Sequence, residues 1–188
     1  MKGCWVFVCG ASGAGKDSVI GWAEVYLADK PDIVFSRRMV TRPATLGSDH
    51  DEITVVEFER LCALGRLAWQ WHAHGFNYGI DATYADQVAA GQIVVVNGSR
   101  EHVSQLEHNE HIKIVQIEVS QADLEVRLIS RARESIEKIS SRLARNELFT
   151  ALMAHHQIVN DRDLADAGKD FAVYLEACCA KPSSRAKK

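Results

Sequence analysis

The sequence predicts an α/β protein whose parallel sheet is covered by helices on both faces. Three observations lead there. Apolar runs recur at 4–9, 33–35, 93–96, 112–119 and, more weakly, 157–159. Helical patterns lie between most of them, and strands alternating with helices make parallel sheets. A glycine-rich stretch, "GASGAGKDS" from Gly10 to Ser18, joins the first apolar run to the first helical pattern. That is the position of a phosphate-binding loop in a P-loop fold.

Each element follows from its own residues. The run at 4–9, "CWVFVC", carries no charge and reads as a strand buried on both faces. "KDSVIGWAEVYLA" puts Val19, Trp22, Ala23 and Tyr26 on one helical face. "ITVVEFERLCALG" does the same with Val55, Phe58, Leu61 and Cys62, and stops at Gly65. From Leu67 to Tyr78, "LAWQWHAHGFNY" alternates apolar and polar residues, the mark of a half-buried antiparallel strand. That break in rhythm predicts a small lobe, residues 37–90, inserted into a core of 1–36 and 91–180. "DATYADQVAAG" reads as a helix ending at Gly91, and Ser120 as the N-cap of "SQADLEVRLISRA". Residues 1–180 thus form one domain, and the polar, basic 181–188 a disordered tail.

Composition narrows the class. The chain has 188 residues, 47% hydrophobic and 25% charged, which suits one soluble domain. A net charge of −3 supplies no basic field for nucleic acid or a membrane surface. No stretch approaches the length of a membrane span. The five cysteines are scattered, and Cys178 and Cys179 are adjacent. Reduced thiols in a cytoplasmic protein are the expectation.

In the loop, Gly10, Ala11, Ser12, Gly13, Ala14, Gly15, Lys16, Asp17 and Ser18 stand where ATP phosphates bind. Backbone N–H groups cradle the phosphates and Lys16 reaches the β and γ oxygens. The residue after the lysine is ordinarily a hydroxyl that holds Mg²⁺; here it is Asp17, with Ser18 one step later. A carboxylate is a good ligand for a hard cation, so Asp17 and Ser18 are the candidate metal ligands.

Further motifs follow in order: "VTRPATLGSDHDE" from Val40, "HGFNYG" from His74, "RLISRARES" from Arg127, "SSRLAR" from Ser140 and "IVNDRDL" from Ile158. This ordered set resembles the guanylate kinase family, with its T-R-P-P-R-P-G-E, G-N-Y-Y-G, arginine-rich lid and V-N-D. The resemblance implies a lid at 131–142 and an acceptor-binding lobe. It implies catalytic roles for Arg133 and Arg142 beside Lys16, and acceptor contacts from Arg42 and Tyr78. The departures matter. Thr45 replaces a second arginine of the family. The glutamate that reads guanine falls at Trp69, a later glutamate at His72, and the strand-end D-I-D is Val95-Val96-Asn97. "GKDS", "WHAHG" and "VNGSR" further resemble one variant branch, the ribose 1,5-bisphosphate phosphokinases of phosphonate degradation. That likeness implies ATP-dependent conversion of ribose 1,5-bisphosphate to 5-phosphoribosyl 1-diphosphate. His72, His74, Asn97 and Arg100 become candidate acceptor contacts, Arg100 by its place just after Ser99 at a strand end, where a helix N-terminus favours anions.

Other readings stay open. A guanylate kinase with an altered base site, a non-catalytic guanylate kinase-like module and another sugar kinase all remain. His72 and His74 could be a metal pair or solvated strand residues, Trp69 and Trp71 simply core, and Arg37 and Arg38 solvated.

Overall fold

The computed structural model describes residues 3–44, 48–107, 109–130 and 153–179. Nine strands and six helices are described: β1 (Cys4–Gly10), α1 (Lys16–Tyr26), β2 (Ile33–Phe35), β3 (Arg38–Val40), β4 (His50–Glu52), α2 (Val55–Ala63), β5 (Leu67–Ala73), β6 (Phe76–Asp81), α3 (Thr83–Ala89), β7 (Ile93–Asn97), α4 (Arg100–Val103), β8 (Ile112–Glu118), α5 (Gln121–Ser130), β9 (His156–Val159) and α6 (Leu164–Cys179). The expected lid, with Arg133 and Arg142, and the tail lie outside the described residues.

Five strands form a parallel sheet in the order β2-β7-β1-β8-β9. All five coincide with the apolar runs of the sequence. The central strand β1 is buried along its whole length, and its side chains divide by parity. Val6 and Val8 join Val19 and Ala23 of α1 and Phe171 and Leu175 of α6 on one face. Trp5, Phe7 and Cys9 join Val94, Val96, Ile114 and Val103 of α4 on the other. Burial on both faces is why this strand tolerates no polar residue. Truncating a side chain such as Phe7, fully buried, costs roughly 3–5 kcal/mol by the cavity it leaves.

The helical faces are narrower than the periodicity suggests. Val19 and Ala23 are buried in α1, but Tyr26 is 53% exposed; in α2 Phe58 is buried and Val55 is half exposed. Each end residue falls beyond the stripe that meets the sheet. α2 opens on Thr54, whose hydroxyl accepts from Glu57 N at 3.1 Å.

A second sheet, β4-β3-β6-β5, is built entirely from residues within the span expected for the inserted lobe. β5 and β6 pair antiparallel through a two-residue turn, His74-Gly75, with φ of 52° and 80°. Two successive left-handed residues make the turn that matches strand twist. The inner face of β5 packs onto the core: Trp69 meets the rings of Trp5 and Phe7 edge-on at 5.7 and 5.1 Å. The lobe is thereby fixed against the face of β1 that carries Trp5 and Phe7.

Candidate functional site

The loop between β1 and α1 is shaped by glycine and by a clamp. Gly15 precedes α1 at φ 86°, and a Cβ there would lie 2.4 Å from Asn160 Nδ2. Asn160, buried just after β9, donates from Nδ2 to Ala14 O at 2.7 Å, and Arg127 Nη2 donates to Asn160 O at 2.7 Å. Lys16 Nζ curls over the loop to Gly10 O and Ala11 O, at 3.3 and 3.4 Å. Burial, reinforced by Arg38 and Arg100 and opposed by Asp17, holds its pKa below the usual lysine value. A buried cation among other cations gains from a bound anion.

From this loop a cleft of about 250 Å³ runs under the lobe. Ser12, Lys16 and Asp17 of the loop line it together with Arg42, His74, Tyr78, Asn97 and Arg100. Trp71 stacks flat between Tyr78, at 5.3 Å, and His102, at 4.6 Å, and forms part of the wall. Ser99 caps α4 by accepting from His102 N at 3.1 Å, which sets Arg100 at the cleft edge. Burial lowers the Arg100 pKa from its ordinary value.

Two expected contacts are not in the cleft. His72 alternates with Trp71 and Ala73 along β5, so it faces the other way; it is exposed and pairs with Asn77 Oδ1 at 3.0 Å. His74, in the turn at φ 52°, lines the cleft while His72 does not. Ser18 is exposed on α1 and does not line the cleft, because one residue turns a helix by about 100°.

Asn97 bridges Asp17 and Asp49. Its Nδ2 donates to Asp17 Oδ1 at 2.7 Å and to Asp49 Oδ2 at 2.9 Å. Arg38, half-buried and not solvated, pairs with Asp49 and donates from Nη1 to Asn97 O at 3.2 Å. Its guanidinium also lies 5.8 Å over the Tyr78 ring. Burial opposes charge on Asp49, but Arg38 and His50 outweigh it and hold the carboxyl below the usual carboxylate range. No cluster of three or more His, Cys, Asp or Glu able to hold a metal occurs among the described residues. Asp17 lines the cleft beside the loop lysine, where nucleotide oxygens would have to complete the shell of any divalent cation.

No family model matches the chain. Individual proteins do. It is 40% identical over 94% of its length to a ribose 1,5-bisphosphate phosphokinase PhnN from Laribacter hongkongensis. It is 42% identical over 96% to a bifunctional ribose 1,5-bisphosphokinase-thymidine phosphorylase from Azorhizobium caulinodans. These are longer proteins, of which the chain spans 43% and 26%. A third relative, the ribose 1,5-bisphosphate phosphokinase PhnN of Methylobacterium radiotolerans, is 37% identical over 95% of the chain and 100% of its own length. The chain belongs to the ribose 1,5-bisphosphate phosphokinase family.

The fold of this phosphokinase-family chain is that of a guanylate kinase. The crystal structure of guanylate kinase from Anaplasma phagocytophilum superposes with a TM-score of 0.68 over 96% of this chain and 88% of that one, at 19% identity. The phosphokinase-family cleft is lined by Trp71 and Tyr78 and by Lys16, Arg38, Arg42 and Arg100. Trp69 is turned into the core. Three residues escape the sequence reading of the site: Arg38, Asp49 and Asn160. Asp49 and Asn160 lie inside quoted motifs, but only the folded chain brings them to the loop. All five cysteines are free thiols, and burial pushes Cys9 up to about 12. No helix among the described residues is long and apolar enough to cross a membrane.

Proposed function

We propose that the chain transfers the γ-phosphoryl group of ATP to ribose 1,5-bisphosphate, giving 5-phosphoribosyl 1-diphosphate and ADP, in phosphonate breakdown in the cytoplasm. The observation that carries this is a cleft lined together by Lys16 and Asp17 of the loop and by Arg38, Arg42 and Arg100. Such a site suits two anions brought close together.

An oxygen of the acceptor 1-phosphate is already anionic near neutral pH, so no general base is needed. It attacks the γ-phosphorus in line; the bond from that phosphorus to the β–γ bridging oxygen breaks, and ADP leaves with the electron pair. Catalysis is then positioning and neutralisation. Lys16 follows the charge from γ to β oxygens. Arg42 holds the accepting 1-phosphate, beside Tyr78. Arg100 and His74 hold the distal 5-phosphate, a role in which His72 has no part. Arg133 and Arg142 cover the transferring group, as the family resemblance implies. Asp17 would hold the Mg²⁺ that comes with ATP, and the ion would supply further charge neutralisation. Where the family's guanine-reading glutamate would repel a second phosphate, this chain has Trp69 instead.

Purified protein is given ATP, Mg²⁺ and either ribose 1,5-bisphosphate or GMP. The expected result is ATP-dependent formation of 5-phosphoribosyl 1-diphosphate, with GMP turned over far more slowly. Preference for GMP, or no transfer to the sugar, removes this reading.

A further inference from the structure

Asp49 is out of keeping with its surroundings. A cleft for an acceptor with two phosphates gains from cations, and a carboxylate in it repels the ligand unless it is neutralised and has a separate task. Asp49 is neutralised: Arg38 pairs with Oδ2, and Asn97 Nδ2 donates to the same oxygen at 2.9 Å. Its Oδ1 faces only the long 3.5 Å approach of His50 Nδ1 among its ion-pair partners. The side chain lines the cleft and is 35% exposed. One oxygen is anchored and the other keeps lone pairs for a ligand.

Two ligand chemistries suit such an oxygen, a cation or a hydroxyl. A second cation would meet the Arg38 guanidinium already in contact with the same carboxylate, whereas Asp17 carries no ion pair among the described residues. The metal therefore belongs with Asp17, and Asp49 is left for a neutral donor. A carboxylate accepting from sugar hydroxyls is a known way of reading ribose. Two buried atoms beside it, Arg38 Nε and Asn97 Oδ1, have no partner, so the wall around Asp49 is polar rather than closed by apolar packing.

We propose that Asp49, anchored by Arg38 and Asn97, accepts hydrogen bonds from the 2- or 3-hydroxyl of the acceptor sugar and selects a ribosyl over a deoxyribosyl bisphosphate. The inference rests on the reading of the cleft as a sugar-bisphosphate site. Because Asn97 Nδ2 also holds Asp17, the sugar is positioned relative to the nucleotide loop through one amide.

The test assays the protein with ATP and three acceptors: ribose 1,5-bisphosphate and its 2-deoxy and 3-deoxy analogues. The unaltered protein is expected to show kcat/KM about 10- to 100-fold lower for at least one deoxy acceptor. In Asp49→Ala that ratio should fall towards parity, while the KM for ATP and the Mg²⁺ demand stay unchanged. Asp49→Asn keeps the side-chain shape and should shrink the ratio in a protein whose melting curve reports its folding. Equal use of all three acceptors by the unaltered protein overturns the inference and leaves the kinase reading standing. So does an undiminished ratio in the folded Asp49→Asn protein, or an effect on Mg²⁺ demand alone. If the unaltered protein does not phosphorylate ribose 1,5-bisphosphate at all, the kinase reading falls and the inference falls with it.

Discussion

Lys16 is held over the loop by two carbonyls at 3.3 and 3.4 Å, contacts weak enough to exchange for phosphate oxygens. Lys16→Ala is expected to lower kcat by two or more orders of magnitude, on the order of 3 kcal/mol or more of transition-state stabilisation. Its thermal unfolding should stay close to the parent's, since the ammonium group joins no core cluster; near-normal turnover would remove Lys16 from the chemistry. Asp17 occupies the place of the usual metal-binding hydroxyl, and Asn97 occupies the strand end where guanylate kinases carry an aspartate. Their hydrogen bond of 2.7 Å joins the two exchanged positions. Asp17→Ser is therefore expected to raise the Mg²⁺ concentration for half-maximal rate several-fold, and adding Asn97→Asp should recover part of the loss. An unchanged Mg²⁺ curve in Asp17→Ser would show that the carboxylate is not a metal ligand.

At the scale of elements, the lobe is attached through rings. Trp71 of β5 stacks on His102 of α4 at 4.6 Å, and His102 is 8% exposed. Burial depresses the His102 pKa from 6.5 to about 4. The unfolded chain takes up a proton on this side chain as pH falls below 6.5, and the folded chain does so only near 4. The contribution of neutral His102 is thus fully present above pH 6.5 and is lost as pH falls through that window, by roughly 3 kcal/mol at 1.36 kcal/mol per unit. Denaturant melts at pH 7 and pH 4.5 should show a smaller acid loss for His102→Gln than for the parent protein. Parallel losses would mean that other groups carry the acid sensitivity.

For the whole molecule, the cleft lies at the carboxyl ends of β1 and β7, between the parallel sheet and the second sheet. The five core strands are legible in the sequence because unbroken apolar runs are local signals; the one strand expected over 67–78 is instead two, β5 and β6, since the alternation runs on through a turn at His74-Gly75 that only the positive φ values reveal. The strands β3 and β4 are not legible, since "RMV" and "HDE" carry no periodicity and form only by pairing with each other and with β6. The buried positions of α6, Ala167, Phe171, Ala172 and Leu175, have helical spacing that the sequence reading leaves unassigned. Within the site, the loop motif singles out Lys16 and Asp17, and the family resemblance Arg42, His74, Tyr78, Asn97 and Arg100, all of which line the cleft. His72 and Ser18, also singled out in the sequence, do not line the cleft, because their orientation depends on strand parity against the core and on the angle at which a helix leaves its loop. What the sequence by itself determined is the loop, the core sheet and the family pattern, all written in residues close together along the chain. What only the tertiary structure decided is the chain of contacts from Asp17 through Asn97 to Asp49 and Arg38. Those hydrogen bonds join residues 80, 48 and 11 positions apart, and no local pattern records a contact that exists only after the lobe has closed over the sheet.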